Sequence, residues 1–418
     1  MSSRAAGSRP RARRWRSPCR RITAVRTFLT APHGCPHLIV RVETNDPGLY
    51  GLGCASDPQR TLAVRSVLDD YVAPLLAGRD PDDIHRLLLN SAYWRGGPIT
   101  GNALGGVDAA LWDLKAKRLG APLHSLFGGR VRAFAEAYTH VDGRDAAEIA
   151  DKVLAARERG YRHVRVQAAL LGADTYGAAG GGTADPEAVR TRRAPWDGAG
   201  YLRHVPQVLT RVREIVGDGV ELLHDVHERL DPRQAGEFLR RIQDAALYFV
   251  EDLLAPEDAG HFKRLHDASP VPLAVGELFH DPAQFAALLA GPDIEIRVPT
   301  LGGLTPARKI AALCELRGVR LAPHGPADVS PVAQAATPAM DISSHAFGVQ
   351  EAAVFRPQVH EVFPGTITAR DGGLRPHQTP GHGVDSDEAA ARKHPVPEPL
   401  AHDRWALLRN TDGSVQRP

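Results

Sequence analysis

Between Ile22 and Cys54, apolar and polar residues alternate along short runs, "ITAVRTFLT" and "HLIVRVET", parted by a Gly/Pro/His turn and followed by "GLYGLGCA". Alternation of period two turns one face of each run to a core and the other to water, which predicts a hairpin-rich antiparallel sheet. The period then lengthens. Apolar positions at helical spacing recur over Arg60–Leu76, Pro81–Tyr93 and Asn102–Leu119, the last followed by Gly120, predicting three helices. Sheet and helices together make an α+β domain that ends near "PLHSLFGGR".

Beyond it the pattern becomes a repeated exchange of short β-type runs and helical stretches. The runs are "FAEAYTH", "HVRVQ", "ELLHDV", "LYFVED", "PLAVGE", "DIEIRVP", "RLAPHG" and "AFGVQE". Helical partners include Asp145–Arg159 closed by Gly160, Pro232–Gln243, Asp281–Leu289 and Thr305–Arg317. Alternating β and α argues for a parallel sheet, and eight such runs argue for closure into a barrel. The helical pattern before the last run is weak, so an imperfect barrel is expected.

An ionisable group recurs once per repeat: Asp225, Glu251 and Glu277 are 26 residues apart, and Arg297, His324 and Glu351 are 27 apart. Barrel sites lie at the carboxyl ends of the strands, so these groups should meet on one rim. Three carboxylates from successive strands offer the hard oxygen ligands that suit Mg²⁺. A helix N-cap explains any one of them, but not three at equal phase. Strand alternation puts Asp225 and His227 on one face, with His224 facing away, and a histidine beside a metal site is placed for proton transfer. Arg165 and Gln167 share a face of the second run, and Tyr176 follows in a long Gly-rich loop that could act as a lid over residues 177–198. A tyrosine needs a nearby cation to serve as a base, and Arg165 could supply it. Arg297, His324, Asp328 and Glu351 would complete a rim suited to a polyhydroxylated anion. The Gly clusters lack the spacing and lysine of a phosphate-binding loop.

Composition narrows the class. The 418 residues are 43% hydrophobic and 24% charged, which fits a packed globular protein with more than one domain. The net charge of +2 conceals a basic stretch, "RPRARRWRSPCRR" at Arg9–Arg21. It reads as a disordered tail spanning residues 1–21. Nothing after it resembles a nucleic-acid fold, so no nucleic-acid partner is expected. No window reaches the roughly 18 apolar residues of a membrane span, and no apolar secretory run is present, so no membrane partner and a cytoplasmic location are expected. The four cysteines, Cys19, Cys35, Cys54 and Cys314, have no disulfide or zinc spacing.

The helix "GVDAALWDLKAKRLGAPLHSLFGG" and the three strand-end carboxylates resemble the enolase superfamily. More narrowly, "LLHDVHERL", "VEDLLAP", "AVGELF", "PHGPADVSPV", "FGVQE" and "TPGHGVD" resemble its mannonate dehydratase subgroup, from about Ile22 to near Asn410. The resemblance implies a modified TIM barrel of (β/α)7β type over residues 134–355. An N-terminal α+β capping domain over 22–133 would be completed by the C-terminal segment 356–418. It implies Mg²⁺ on Asp225, Glu251 and Glu277, with Tyr176, assisted by Arg165, removing the proton α to a sugar-acid carboxylate. His227 would help the β-hydroxyl leave, and His140, Glu277, Arg297, His324, Asp328 and Glu351 would contact substrate. The implied activity is a lyase converting D-mannonate to a 2-keto-3-deoxy acid and water, in a symmetric homo-oligomer. Lysine on the second strand and an Asp-His pair on the sixth and seventh, which racemases of the superfamily use, are replaced here by Arg165, Gln167 and Arg297, which disfavours racemisation. Pro326 resembles the branch that turns over mannonate poorly or prefers gluconate. The C-terminal "DGSVQRP" lacks the tryptophan-bearing end that many relatives place near substrate. D-gluconate dehydration, or a non-catalytic barrel that senses an acid sugar, are the alternative functions.

Overall fold

The computed structural model of the chain describes residues 20–89, 96–168, 196–289, 293–296, 298, 300–397 and 410–414. Strands β1 (Ile22–Thr30), β2 (His37–Thr44) and β3 (Tyr50–Cys54) form the expected antiparallel sheet, in the order β1-β2-β3. The helix Pro98–Arg118 lies across it, entered through left-handed Gly97 and Pro98 and ended by a basic last turn. Its approach is close enough that a Cβ on Gly51 or Gly53 would overlap the carbonyl of Ala110 or Gly106. The glycines of "YGLGC" therefore allow helix and sheet backbones to touch. Of the other two predicted cap helices, the first is one rod with a π-helical middle, Thr61–Ser66, Val67–Val72 and Ala73–Leu76, and the second is the helix Ile84–Leu89.

Eight parallel strands follow among the described residues: β4 (Ala135–Gly143), β5 (His163–Ala168), β6 (Glu221–Asp225), β7 (Phe249–Glu251), β8 (Leu273–Val275), β9 (Asp293–Ile296), β10 (Leu321–Pro323) and β11 (Gln350–Glu351). They pair in the order β10-β9-β8-β7-β6-β5-β4-β11. The circle closes where Leu321 donates its N–H to Ala346 O and accepts from Gly348 N, both at 2.8 Å, just ahead of β11. A short strand β12 (Gly373–Leu374) runs antiparallel against the start of β4.

The barrel is more regular than its sequence pattern. The weak partner before β11 is an eleven-residue helix, Pro331–Asp341, with every residue buried. Buried on all sides, it has no polar face and so no amphipathic period to read. A helix that the pattern did not reveal, Gly198–Val216, buries Tyr201, Leu202, Val205, Leu209, Val212 and Val216. Gly198, Gly200 and an internal Pro206 obscure that stripe. Among the described residues no helix is long and apolar enough to cross a membrane.

Cap and barrel are joined by polar contacts out of water. On the long cap helix, the fully buried Asp108 accepts from Thr305 N at 2.9 Å and from the Thr305 hydroxyl, at the start of the barrel helix Leu304–Arg317. Asp113 accepts from Leu52 N and His382 N, each at 3.0 Å, and pairs with Lys117 at 2.7 Å. It thus binds sheet, helix and the C-terminal segment together. Further along that segment, Ala31 N donates to His394 O at 2.8 Å. Removing a buried acceptor strands its donors, at a cost of about 2 kcal/mol. Asp108→Ala should accordingly lower the thermal midpoint, and an unchanged midpoint would contradict this role for the cap–barrel contact.

Candidate active site

The site rests on an apolar floor. Tyr138, Leu223, Phe249, Ala274, Ala322 and Val349 form a cluster of their own, separate from the main core. Each of five of them is followed two residues later by a polar group: His140, Asp225, Glu251, His324 and Glu351. Strand alternation therefore points both sets the same way, apolar below and polar at the carboxyl rim. Strand pairing adds register, with Asp225 directly opposite Glu251. Glu277 breaks the rule, because the residue two beyond Ala274 is Gly276. That glycine has φ 140°, and the chain turns there to bring Glu277 to the rim.

Arg165, 5% exposed, is the central charge. Its Nη1 lies 3.0 Å from Asp225 Oδ2 and 2.9 Å from Glu251 Oε1, and Nη2 is 3.7 Å from Glu351 Oε1. Glu351 also pairs with His140 Nε2 at 2.8 Å, accepts from Gly325 N at 2.8 Å and lies 3.5 Å from His324 Nε2. Burial pushes Glu251 up to about 8 and Asp225 up to about 6, in each case outweighing the opposing pull of Arg165. Burial also opposes ionisation of Glu351, but His324, Arg165 and His140 together hold it below the usual carboxylate range.

A cation-binding geometry emerges one strand over. Ligand atoms of Glu251, Glu277 and His324 all lie within 4.8 Å of one another. Glu251 is fully buried, and its Oε2 has no hydrogen-bond partner among the described residues. A buried carboxylate oxygen with no donor is costly unless a cation meets it. Asp225, expected beside Glu251 and Glu277, is turned toward Arg165 and His227, so the converging set differs from the expected one. His324 Nε2 lies 3.2 Å from Glu277 Oε2, which accounts for its place in that set.

His227 meets Asp225, but not by strand alternation. The strand ends at Asp225, and His227 and Glu228 form a left-handed turn at φ 52° and 59°. The turn folds His227 back, with its N–H on Asp225 Oδ1 and its Nε2 2.7 Å from Asp225 Oδ2. Burial, reinforced by Arg165, holds this imidazole well below its ordinary range. His224 faces away as expected, between Tyr201 Oη at 2.6 Å and Val166 O at 2.7 Å. Gln167 donates to Asp225 O at 3.2 Å. Asp328 lies in the turn after β10, facing the cap residue His33 electrostatically. Tyr176, Arg297, the tail residues 1–19 and residues 177–195 of the expected lid lie outside the described residues. Two buried acids escaped the sequence reading, Glu228 and Asp252. The available signal was an acid beside each strand-end group, in "DVHE" and "VED".

Residues 148–390 match the family model "Enolase C-terminal domain-like", and residues 13–128 match "Mandelate racemase / muconate lactonizing enzyme, N-terminal domain". A D-galactonate dehydratase family member from a Streptomyces strain is 65% identical over 404 residues, covering 95% of this chain and 91% of that protein. Another, from Salmonella enteritidis, is 40% identical over 422 residues, covering 95% and 99%. A crystal structure of an enolase from Pantoea ananatis with bound D-gluconate and Mg superposes with a TM-score of 0.88 at 39% identity, covering 96% of this chain and 100% of that one.

Arg165 compensates carboxylates that cannot reach water, and breaking such a buried pair costs about 3–5 kcal/mol. Arg165→Met should therefore lower the thermal midpoint strongly in metal-free buffer, and a divalent cation should recover part of the loss. A variant as stable as the parent would contradict this account of the site.

Proposed function

We propose that this chain, which belongs to the enolase superfamily and within it to the D-galactonate dehydratase family, is a Mg²⁺-dependent hydro-lyase that dehydrates a six-carbon sugar acid. The observation that carries the reading is the meeting of buried Glu251 and His324 with half-buried Glu277, where Glu251 Oε2 has no partner among the described residues, beside a His227–Asp225 pair. The converging donors fit a hard cation: Glu251 and Glu277, with His324 beside them, would hold it, Asp225, here turned toward Arg165 and His227, would be the third carboxylate, and carboxylates that burial drives toward neutrality would gain a counter-charge. Bound there, Mg²⁺ supplies the positive charge that offsets what develops on the substrate carboxylate.

The rest falls to the chain's own groups. Tyr176, its phenol made more acidic by Arg165, takes the proton α to the carboxylate. His227, paired with Asp225, takes up a solvent proton when the anionic substrate binds, and as imidazolium gives a proton to the β-hydroxyl, which leaves as water and returns the ring to its neutral form. The resulting enol tautomerises to a 2-keto-3-deoxy acid. His140, Glu277, Arg297, His324, Asp328 and Glu351 hold the substrate's carboxylate and hydroxyls. The apolar floor of Tyr138, Leu223 and Phe249 keeps water from below.

D-mannonate is the proposed substrate, in a homo-oligomeric enzyme. D-gluconate is the second reading, favoured by the ligand in the Pantoea relative and by Pro326. Incubating Mg²⁺-loaded protein with D-mannonate, D-gluconate and D-galactonate should yield 2-keto-3-deoxy product from at least one. His227→Ala should reduce that rate by roughly 10²- to 10⁴-fold. Failure of all three aldonates in the parent protein rejects the dehydratase reading. Ligand-dependent thermal stabilisation without turnover would instead identify a sensing barrel.

A further inference from the structure

We propose that Asp252 is the positioning residue of this site: it ties together the strand ends that carry His227, Glu251 and Glu277, so that all three assume their working geometry at once. The assignment rests on the dehydratase reading for its kinetic consequence and on geometry for its structural one.

Asp252 immediately follows β7 and is 2% exposed. It bonds to both neighbouring strand ends. On one side its carbonyl accepts from Glu228 N at 2.7 Å, closing the left-handed turn that presents His227. On the other, its own N–H donates to Ala274 O at 3.0 Å, and its Oδ1 accepts from Gly276 N at 3.3 Å. Gly276 is the residue whose φ of 140° redirects the chain to Glu277. The side chain thus fixes the turn before Glu277, while the backbone fixes the turn after Asp225.

The conformation is a strained one. Asp252 has φ 40°, and the residues it holds, His227 and Glu228, are also left-handed. Non-glycine residues in that region each cost about 1–3 kcal/mol and persist where surrounding bonds over-determine them. Aspartate and asparagine tolerate the region better than most residues. Asp252 therefore meets two demands that alanine fails: a left-handed backbone, and a short side-chain acceptor at the Gly276 amide.

The test compares Asp252→Asn and Asp252→Ala in the full-length protein. Asparagine keeps the acceptor oxygen and the tolerance of positive φ, so its kcat/KM should stay within about threefold of the parent. Alanine should lose roughly 10- to 100-fold in kcat/KM, mostly in kcat, as expected when a group that orients others is removed. Its Mg²⁺ affinity, read by calorimetry, should fall with it. Hydrogen exchange gives a readout that needs no turnover: peptides spanning 222–230 and 273–280 should exchange faster in Asp252→Ala but not in Asp252→Asn. Wild-type exchange, kinetics and Mg²⁺ affinity in Asp252→Ala would overturn the proposal. So would an Asp252→Asn protein that exchanges as fast as the alanine variant. If the parent protein dehydrates no aldonate, the exchange and calorimetric arms still decide the positioning role, which separates its failure from that of the dehydratase reading.

Discussion

One buried guanidinium sets the terms for the whole rim. Arg165 lies under 4 Å from Asp225, Glu251 and Glu351, where water cannot solvate any of the four groups. Three carboxylates at the ends of parallel strands would repel one another and drive their own protonation. With Arg165 among them they form a cluster that still has unmet acceptor capacity, seen in Glu251 Oε2. That residual demand suits a cation better than a closed salt-bridge network would. The same charge lowers the proton affinity of His227.

The barrel supplies rigidity in two layers. Below, aromatic and aliphatic side chains from alternate strand positions fill the interior; above, the next inward positions are polar on five of these six strands, and Gly276 stands at the sixth. Because each polar group stands two residues from a packed one, its backbone is anchored by core packing and its side chain needs little ordering on binding. The cap is fastened to this frame by Asp108 and Asp113, whose acceptors meet donors on the barrel, the cap sheet and the C-terminal segment.

Much of this was legible in the sequence because the barrel repeats a period. The 26- and 27-residue spacings placed Asp225, Glu251, His324 and Glu351 on one rim, and β-alternation correctly turned His224 outward. The His227–Asp225 pairing was expected from the wrong cause: the strand stops at Asp225, and only a left-handed turn brings the imidazole back. No periodic rule contains that turn, nor the one at Gly276. Arg165 was readable as a site residue, but its balancing of three carboxylates depends on strand neighbours that spacing does not specify. Asp252 and Glu228 look like ordinary polar residues after a strand until their burial is known. The helix Pro331–Asp341 was obscured for the opposite reason, since burial on every side removes the pattern.

The central claim is that the strand-end carboxylates form a divalent-cation site around Glu251. Calorimetric titration of Mg²⁺ into the parent protein and into Glu251→Gln tests it directly. The account predicts saturable binding of one equivalent to the parent, weakened by roughly 10-fold or more in the variant. Equal binding by both proteins, or none by the parent, would contradict it.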